Sequence, residues 1–232
     1  LIYFYLSKRI EKKILLPNLL VGFLILFQGL VGWYMVKSGL VNDVTVSHYR
    51  LSLHLIIAIT IISIIFWQIL IIKRKKFKTF FYFKKESLPY FVLIFLVFFQ
   101  IIFGAFVSGL DAGKIYQTWP YMGNSFFPND YEILKLFDLL NFESHSLVQF
   151  YHRNMAYFIT LYILFLTFLI YKKKERQLFK PINLLVVILF FQIFLGVLTL
   201  LSDLHVLIAS FHQIMSVILV LGTLNLYYSV IK

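Results

Sequence analysis

The stretch Leu147–Tyr157 reads LVQFYHRNMAY and opens a long apolar run with a histidine that is followed by an arginine. An imidazole close to the hydrocarbon region of a bilayer is costly unless it has a partner, so its presence indicates a functional site. Histidines with a similar placement open two other apolar runs, at His54 and His212. These three positions organise the interpretation of the whole chain.

The composition is that of an integral membrane protein. Hydrophobic residues make up 61% of the 232 residues and the mean hydropathy is +0.86, whereas a soluble domain is about 45–50% apolar. Six spans of about 20 residues fit this length. We therefore predict an all-α membrane protein with six visible transmembrane helices, α1 to α6, near Leu15–Val36, Leu51–Ile72, Leu88–Ser108, Leu147–Tyr171, Pro181–Leu201 and Val206–Val230.

The positive charges lie mostly on one side of these predicted spans. Of the 22 Lys and Arg residues, 17 fall in the segments Lys8–Lys13, Lys73–Lys85 and Lys172–Lys180 and at Lys232. The opposite side holds the other five, together with seven of the ten acidic residues. This bias places the basic segments on the cytoplasmic or matrix side. It also explains the net charge of +12 without nucleic-acid binding.

The absence of cysteine excludes disulfides, thiolate ligation of haem and iron–sulfur clusters for this chain. The first residues, LIYFYLS, are apolar and run directly into KRIEKK. We interpret Leu1–Ser7 as the tail of a seventh helix that begins before this sequence.

One spacing occurs in three of the predicted helices: a proline, a glutamine eleven residues later, and a glycine four residues after that. The members are Pro17, Gln28 and Gly32 in α1, Pro89, Gln100 and Gly104 in α3, and Pro181, Gln192 and Gly196 in α5. We expect each proline in the first helical turn on the basic side and each glutamine about 16 Å further along, near mid-membrane. Each of these helices precedes one with a histidine near its outer start, so the pattern predicts one hairpin repeated three times.

The repeated hairpins predict antiparallel four-helix bundles. In an up-and-down bundle of α3 to α6, helices α4 and α6 are diagonal, so His152 and His212 face each other and can ligate one haem iron from opposite sides. The counterpart of His54 would lie on a helix that precedes α1. We therefore predict a remnant of an N-terminal bundle over 1–72, a basic linker over 73–87 and a C-terminal haem-binding bundle over 88–232.

Simpler interpretations remain open for each of these residues. A membrane histidine or glutamine often only forms a hydrogen bond between helices, and a glycine often only permits close helix approach. Zinc is disfavoured because no cysteine or carboxylate stands near the histidines to complete four ligands. Arg50 and Arg153, at the outer helix ends, suit haem propionates or ordinary interfacial snorkelling. We interpret His48, His145 and His205 as interfacial polar residues.

With these residues placed, the chain resembles the haem A synthase family of bacteria and mitochondria over nearly its whole length. The resemblance rests on QGLVGWYMVKSGL (Gln28–Leu40), VSHYRLSLH (Val46–His54), GAFVSGLDAGKIYQTWPYM (Gly104–Met122), VQFYHR (Val148–Arg153) and the pairs Gln192–Gly196 and His212–Gln213. It implies eight helices in two pseudo-symmetric halves, with haem b in the C-terminal half and the substrate haem O in the N-terminal half.

Carried over by position, the resemblance assigns His152 and His212 as the ligands of the haem b iron. It assigns His54 as a catalytic, substrate-side ligand of the haem O iron, and it leaves Arg153 and Arg50 as candidate cofactor-binding residues. The second substrate-side histidine and a catalytic glutamate of the family would precede Leu1. We therefore expect an N-terminally truncated chain that is incomplete for activity by itself.

The activity that the resemblance implies is an oxidoreductase reaction in haem A biosynthesis. The C8 methyl of haem O is oxidised to a formyl group by successive hydroxylations with oxygen from water, and haem b relays the electrons. The implied partners are the enzyme that makes haem O, cytochrome oxidase assembly factors and a membrane electron acceptor, with no nucleic acid and with homo-oligomerisation left open. The implied location is the bacterial inner membrane, or the mitochondrial inner membrane in a eukaryote.

Two other classes of protein share parts of this pattern. A bis-histidine membrane cytochrome b that only transfers electrons needs α4 and α6 but not His54. A transporter built from repeats is the non-enzyme alternative. The three repeats here have the same orientation and uninterrupted spans, which disfavours the transporter.

Overall fold

The computed structural model describes residues 3, 6–8, 11–39 and 46–231, and the regular structure within them is helical, with no β-strand. Six helices are long and apolar enough to cross a membrane, which confirms the predicted all-α, multi-pass architecture. Their bounds are Lys12–Gly39 (α1), His48–Arg74 (α2), Leu88–Gly109 (α3), His145–Lys172 (α4), Arg176–Leu201 (α5) and Val206–Val230 (α6). The tail of a seventh helix predicted at Leu1–Ser7 falls largely outside the described residues.

The basic-side ends of the helices differ from the prediction in two of the three repeats. Pro89 lies in the first turn of α3 as predicted. Helix α5 begins more than a turn earlier than predicted and α1 begins three residues earlier, so Pro17 and Pro181 lie inside them, and the first-turn prediction is wrong there. A proline in the second turn removes one main-chain hydrogen bond near the helix start. The added residues are mostly exposed and polar, so the apolar pattern did not include them.

Helices α3 to α6 pack in a ring. Helix α3 contacts α4 and α6, and α5 contacts the same two helices, so α4 and α6 are diagonal. The interior is closely packed with apolar side chains that are less than 2% exposed, among them Leu93, Ile163, Leu166, Ile182 and Leu185. Because lipid is as apolar as these side chains, their stabilising contribution comes from close van der Waals contact.

Helices α1 and α2 lie beside this ring of four helices. Helix α2 packs on α3 and α6, and α1 packs on α2, with Val21, Val31, Ile57 and Ile61 forming a small buried cluster between them. The division of the chain at 73–87 into two bundles stays a prediction.

The basic linker between α2 and α3 is firmly held against the helices. The indole nitrogen of Trp67 donates to the carbonyl oxygen of Lys78 at 3.2 Å, and the hydroxyl of Tyr227 donates to the carbonyl oxygen of Phe80 at 2.7 Å. These bonds satisfy linker carbonyl groups that lie at the end of an apolar bundle. The linker is thus an ordered part of the basic face.

The long connection between α3 and α4 also folds onto the bundle. It contains 3₁₀ turns at Ala112–Lys114 and Leu136–Leu140, and it buries Ala112 and Met122 almost completely. These buried residues hold a connection of more than 30 residues against the outer ends of the helices.

Candidate functional site

Two hairpins of the four-helix ring place a histidine against a glycine of the preceding helix. A Cβ added at Gly104 would lie 3.1 Å from Cε1 of His152, and one added at Gly196 would lie 2.8 Å from Cε1 of His212. Such contacts are shorter than nearly all real Cβ contacts, so any side chain there would compete with the ring for space. The repeated glycines therefore admit the imidazoles.

The ring of His212 is oriented by the glutamine of its hairpin. Its Nδ1 lies 3.1 Å from the main-chain carbonyl oxygen of Gln192, and its Nε2 lies 3.4 Å from the side-chain nitrogen of the same residue. A carbonyl oxygen only accepts, so Nδ1 carries the proton and Nε2 carries the lone pair, which faces the amide nitrogen of Gln192. Histidines that ligate metals commonly have this arrangement, with the other ring nitrogen bonded to a carbonyl group.

The ring of His152 has the matching glutamine as its polar partner. The side-chain nitrogen of Gln100 lies 3.1 Å from Nδ1 of His152 and donates to the carbonyl oxygen of the same histidine at 3.0 Å. The side-chain oxygens of Gln100 and Gln192 are both buried, and neither has a hydrogen-bond partner among the described residues. Each His–Gln pair therefore keeps one unused acceptor inside the bundle.

The first hairpin repeats the glycine contact and differs in its polar contacts. A Cβ at Gly32 would lie 3.0 Å from Cε1 of His54. Nδ1 of His54 is buried without a hydrogen-bond partner among the described residues, so the bond to glutamine seen in the other hairpins has no counterpart there. The guanidinium of Arg50, one turn earlier on α2, lies over the ring of Tyr34 at 5.0 Å from its centroid.

Two of the three predicted histidines lie on helices of the same four-helix ring. His152 and His212 stand on the diagonal helices α4 and α6, and both side chains are half-buried. His54 stands on α2, which packs on the outside of this ring. That His152 and His212 share one ligand, and that His54 belongs to a separate site, stays a prediction.

Arg153, next to His152, binds the long outer connection. Its guanidinium donates to the carbonyl oxygen of Tyr116 at 2.7 Å, to that of Thr118 at 2.8 Å and to that of Tyr121 at 3.3 Å. The side chain of Gln149, one turn earlier, also donates to the carbonyl oxygen of Tyr116, at 2.9 Å. The connection is thus tied to the helix that carries His152, while the propionate role of Arg153 stays a prediction.

A carboxylate in this connection forms a second anchor that the sequence analysis missed. Asp130 accepts hydrogen bonds from the hydroxyl of Tyr116 at 2.6 Å and from the hydroxyl of Ser146 at the start of α4. Partial desolvation alone would raise the pKa of Asp130, but the bonds from Ser146 and Tyr116 outweigh it and lower that pKa. Desolvation and the same carboxylate raise the pKa of Tyr116. No spacing in the sequence links these three residues.

The second histidine of each hairpin has its own environment. His48, the first residue of α2, is only 5% exposed and packs between Tyr49 and Phe106, with Nε2 3.9 Å from a carboxylate oxygen of Glu143. His145 and His205 are exposed. His48 is thus covered by α3 and the outer connection at the outer end of α2, and the interfacial interpretation of the three histidines stays a prediction.

The donor set limits the kind of metal site. Across the described parts of the chain, no three His, Cys, Asp or Glu side chains gather into a group that could hold a metal ion. A haem iron needs only two ligands from the protein, because the porphyrin supplies the other four.

The sequence profile of the COX15-CtaA family, described as cytochrome oxidase assembly protein, matches residues 1–224. The chain belongs to this family. Among curated relatives, Heme A synthase of Pelagibacter ubique is 44% identical over 200 residues, which cover 84% of this chain and 57% of that protein. Heme A synthase of Rickettsia africae is 38% identical, over 94% of this chain and 65% of its own length.

A third relative, Heme A synthase of Rickettsia felis, is 37% identical over 242 aligned positions that cover the whole of this chain and 69% of that protein. This member of the COX15-CtaA family thus spans about three fifths to two thirds of the length of the curated relatives it matches. The resemblance to haem A synthases that the motifs predicted is confirmed.

Proposed function

We propose that this chain serves as a haem A synthase that oxidises the C8 methyl of haem O to a formyl group. The observation that carries the proposal is the Gly–His contact that recurs in three hairpins, two of them on diagonal helices of one ring. The family of this chain, whose curated relatives are named Heme A synthase, supports this chemistry. We place the chain in the bacterial inner membrane, or the mitochondrial inner membrane in a eukaryote.

The residues present fit a haem b between α4 and α6. Gly104 and Gly196 leave room for the imidazole rings, which a Cβ at either position would crowd. Nδ1 of His212 is already bonded to a carbonyl oxygen, so the lone pair for metal binding is on Nε2. We therefore infer that His152 and His212 would ligate the iron of this haem, and that His54 would be a ligand on the substrate side.

Conversion of a methyl to a formyl group with oxygen from water releases four electrons and four protons. A bound bis-histidine haem supplies one-electron transfer toward a membrane acceptor. The task of the chain is to orient the rings through Gln100 and Gln192, and Arg153 holds the outer connection over the helix ends. The enzyme that makes haem O and cytochrome oxidase assembly factors are the partners that this role requires.

A reduced-minus-oxidised absorption spectrum of the detergent-purified chain tests the cofactor site. We expect a b-type α-band in the parent protein, and its loss in His152→Ala and in His212→Ala. The matched controls are His145→Ala and His205→Ala, because these exposed histidines lie seven residues before the ligands. A folded parent protein without haem, or equal loss in ligand and control variants, would contradict the ligand assignment.

A further inference from the structure

A cavity with a different character lies at the basic end of the helices. It has a volume of about 320 Å³ and lies between the end of α2, the linker that follows it, the first turn of α5 and the last turn of α6. Its lining residues are Arg74, Lys76, Lys78, Gln177, Tyr228 and Ser229. The histidines of α2, α4 and α6 stand near the other ends of their helices, so this cavity is separate from the proposed haem site.

The cavity has an excess of positive charge. Among the described residues, the ion pairs are Lys13–Glu11, His48–Glu143 and Lys114–Asp111, so none of the three cations of the cavity is paired with a carboxylate there. Burial lowers the pKa of Lys78, and the charges of Lys76 and Arg74 lower it further. An anion in the cavity would relieve this repulsion.

Two of the three cations are fixed in place. The Arg74 guanidinium donates to the hydroxyl of Ser229 at 2.9 Å and to the side-chain oxygen of Asn225. The Lys78 ammonium donates to the carbonyl oxygens of Tyr228, at 3.0 Å, and of Ile231. The ring of Tyr228 lies within 5.2 Å of both cations. Groups that are already held in position lose little freedom when they bind a ligand.

The third cation is free to meet a ligand. The side chain of Lys76 is exposed and makes no hydrogen bond or ion pair with a described residue, while its carbonyl oxygen accepts a bond from the hydroxyl of Tyr228. The bond from Tyr228 therefore fixes the main chain of Lys76, and its ammonium group remains available to bind an anion.

We propose that this cavity binds the phosphate group of an anionic phospholipid from the leaflet on the basic side. Guanidinium and ammonium groups are strong phosphate partners, and basic pockets between transmembrane helices on this side suit lipid head groups. The volume lies at the lower end of the range for small-molecule sites, about 300–1,000 Å³, which fits a head group. The cavity lies at the basic-side ends of three helices that are long and apolar enough to cross a membrane, where lipid head groups are present, which favours a lipid over free phosphate.

Thermal unfolding of the full chain in detergent, followed by tryptophan fluorescence, tests this inference. Dioleoyl phosphatidylglycerol, dioleoyl phosphatidylcholine and sodium phosphate are titrated separately, and phosphate is also titrated against saturating phosphatidylglycerol. We expect a saturable rise of the unfolding midpoint with phosphatidylglycerol alone. An equal rise with phosphatidylcholine would overturn the proposal, and displacement of the lipid by equimolar phosphate would identify an inorganic anion site instead.

The variant Lys76→Gln gives the residue-level test, with Lys75→Gln as its matched control. Both remove one charge from neighbouring linker positions, but only Lys76 lines the cavity. We expect Lys76→Gln to weaken the apparent affinity for phosphatidylglycerol about fivefold, and Lys75→Gln to leave it close to that of the parent protein. An unchanged midpoint without lipid checks that folding is intact. Equal affinities in the two variants would overturn the assignment.

Discussion

Nδ1 of His212 lies 3.1 Å from the main-chain carbonyl oxygen of Gln192, so a backbone atom orients this imidazole. The ring of His152 depends instead on the side chain of Gln100, whose nitrogen lies 3.1 Å from Nδ1. The two hairpins share one sequence spacing but use different atoms of the glutamine. A substitution of the side chain therefore removes the polar partner in one hairpin and leaves it in the other.

We expect Gln100→Leu to reduce the affinity for haem more than Gln192→Leu does. Loss of the group that orients a ligating histidine typically reduces affinity about 10–100-fold. Gln100→Leu removes that group for His152, whereas Gln192→Leu keeps the carbonyl oxygen that holds His212. Haem titration of the purified apoproteins, followed by the Soret band, measures both affinities. Equal losses in the two variants would show that the backbone bond does not orient His212.

The glycines beside the histidines give a second prediction. Gly196→Ala places a Cβ 2.8 Å from Cε1 of His212, so the ring must move and the haem content of the purified protein should fall severalfold. The effect of Gly104→Ala should be smaller, because its contact with His152 is 3.1 Å. The pyridine haemochrome assay gives the haem-to-protein ratio.

The control is Gly29→Ala, because a Cβ at Gly29 meets nothing within 4 Å. Alanine stabilises a helix interior by about 1 kcal/mol relative to glycine, so all three variants should fold. A Gly196→Ala protein that keeps its full haem content would contradict the view that this glycine makes room for the ring.

The contact of a glutamine and a glycine with a histidine of the next helix can be predicted from the repeated spacing in the sequence. A separation of four residues places Gln100 and Gly104 on one face of α3, and the threefold repeat of that separation marks the face that meets a histidine. The six membrane-spanning helices could also be predicted, because each of them contains a long apolar run. The starts of α1 and α5 escaped prediction because polar residues extend these helices past Pro17 and Pro181.

The contacts of the outer connection could not be predicted from the sequence. Arg153 and Gln149 bond to main-chain carbonyl oxygens, which every residue has, so residue types along the connection hold no signal for them. Asp130 meets Tyr116 and Ser146 only because the connection folds back on the start of α4. Such contacts depend on tertiary packing that local patterns do not encode.

Asp130→Asn tests the anchor of this connection. Because the pKa of Asp130 is lowered in the folded protein, its ionised form contributes stability above the pKa of the unfolded chain, about 3.9, and this contribution is lost as the pH falls through the lower folded pKa. At pH 6 we expect the substitution to reduce the free energy of unfolding by about 1 kcal/mol, as for a partly exposed hydrogen-bonded carboxylate. The difference from the parent protein should shrink below about pH 4.

Thermal unfolding in detergent between pH 3 and pH 7 measures this dependence. Glu132→Gln is the control, because Glu132 is an exposed carboxylate of the same connection and makes no hydrogen bond or ion pair with a described residue. A loss of stability in Asp130→Asn that is constant across this pH range would show that ionisation of Asp130 is not the cause.

His54 separates a haem A synthase from a protein that only transfers electrons. Its ring lies over Gly32 on the α1–α2 hairpin, outside the ring of helices that holds His152 and His212. In the chain extended to the length of its relatives, we expect His54→Ala to leave the b-type α-band unchanged and to stop conversion of haem O to haem A, as measured by chromatography of haems extracted from membranes that express the variant. Leu53→Ala, an exposed neighbour on α2, is the control for general damage to this helix. Continued accumulation of haem A in His54→Ala would remove His54 from the substrate site and favour electron transfer as the role of the chain.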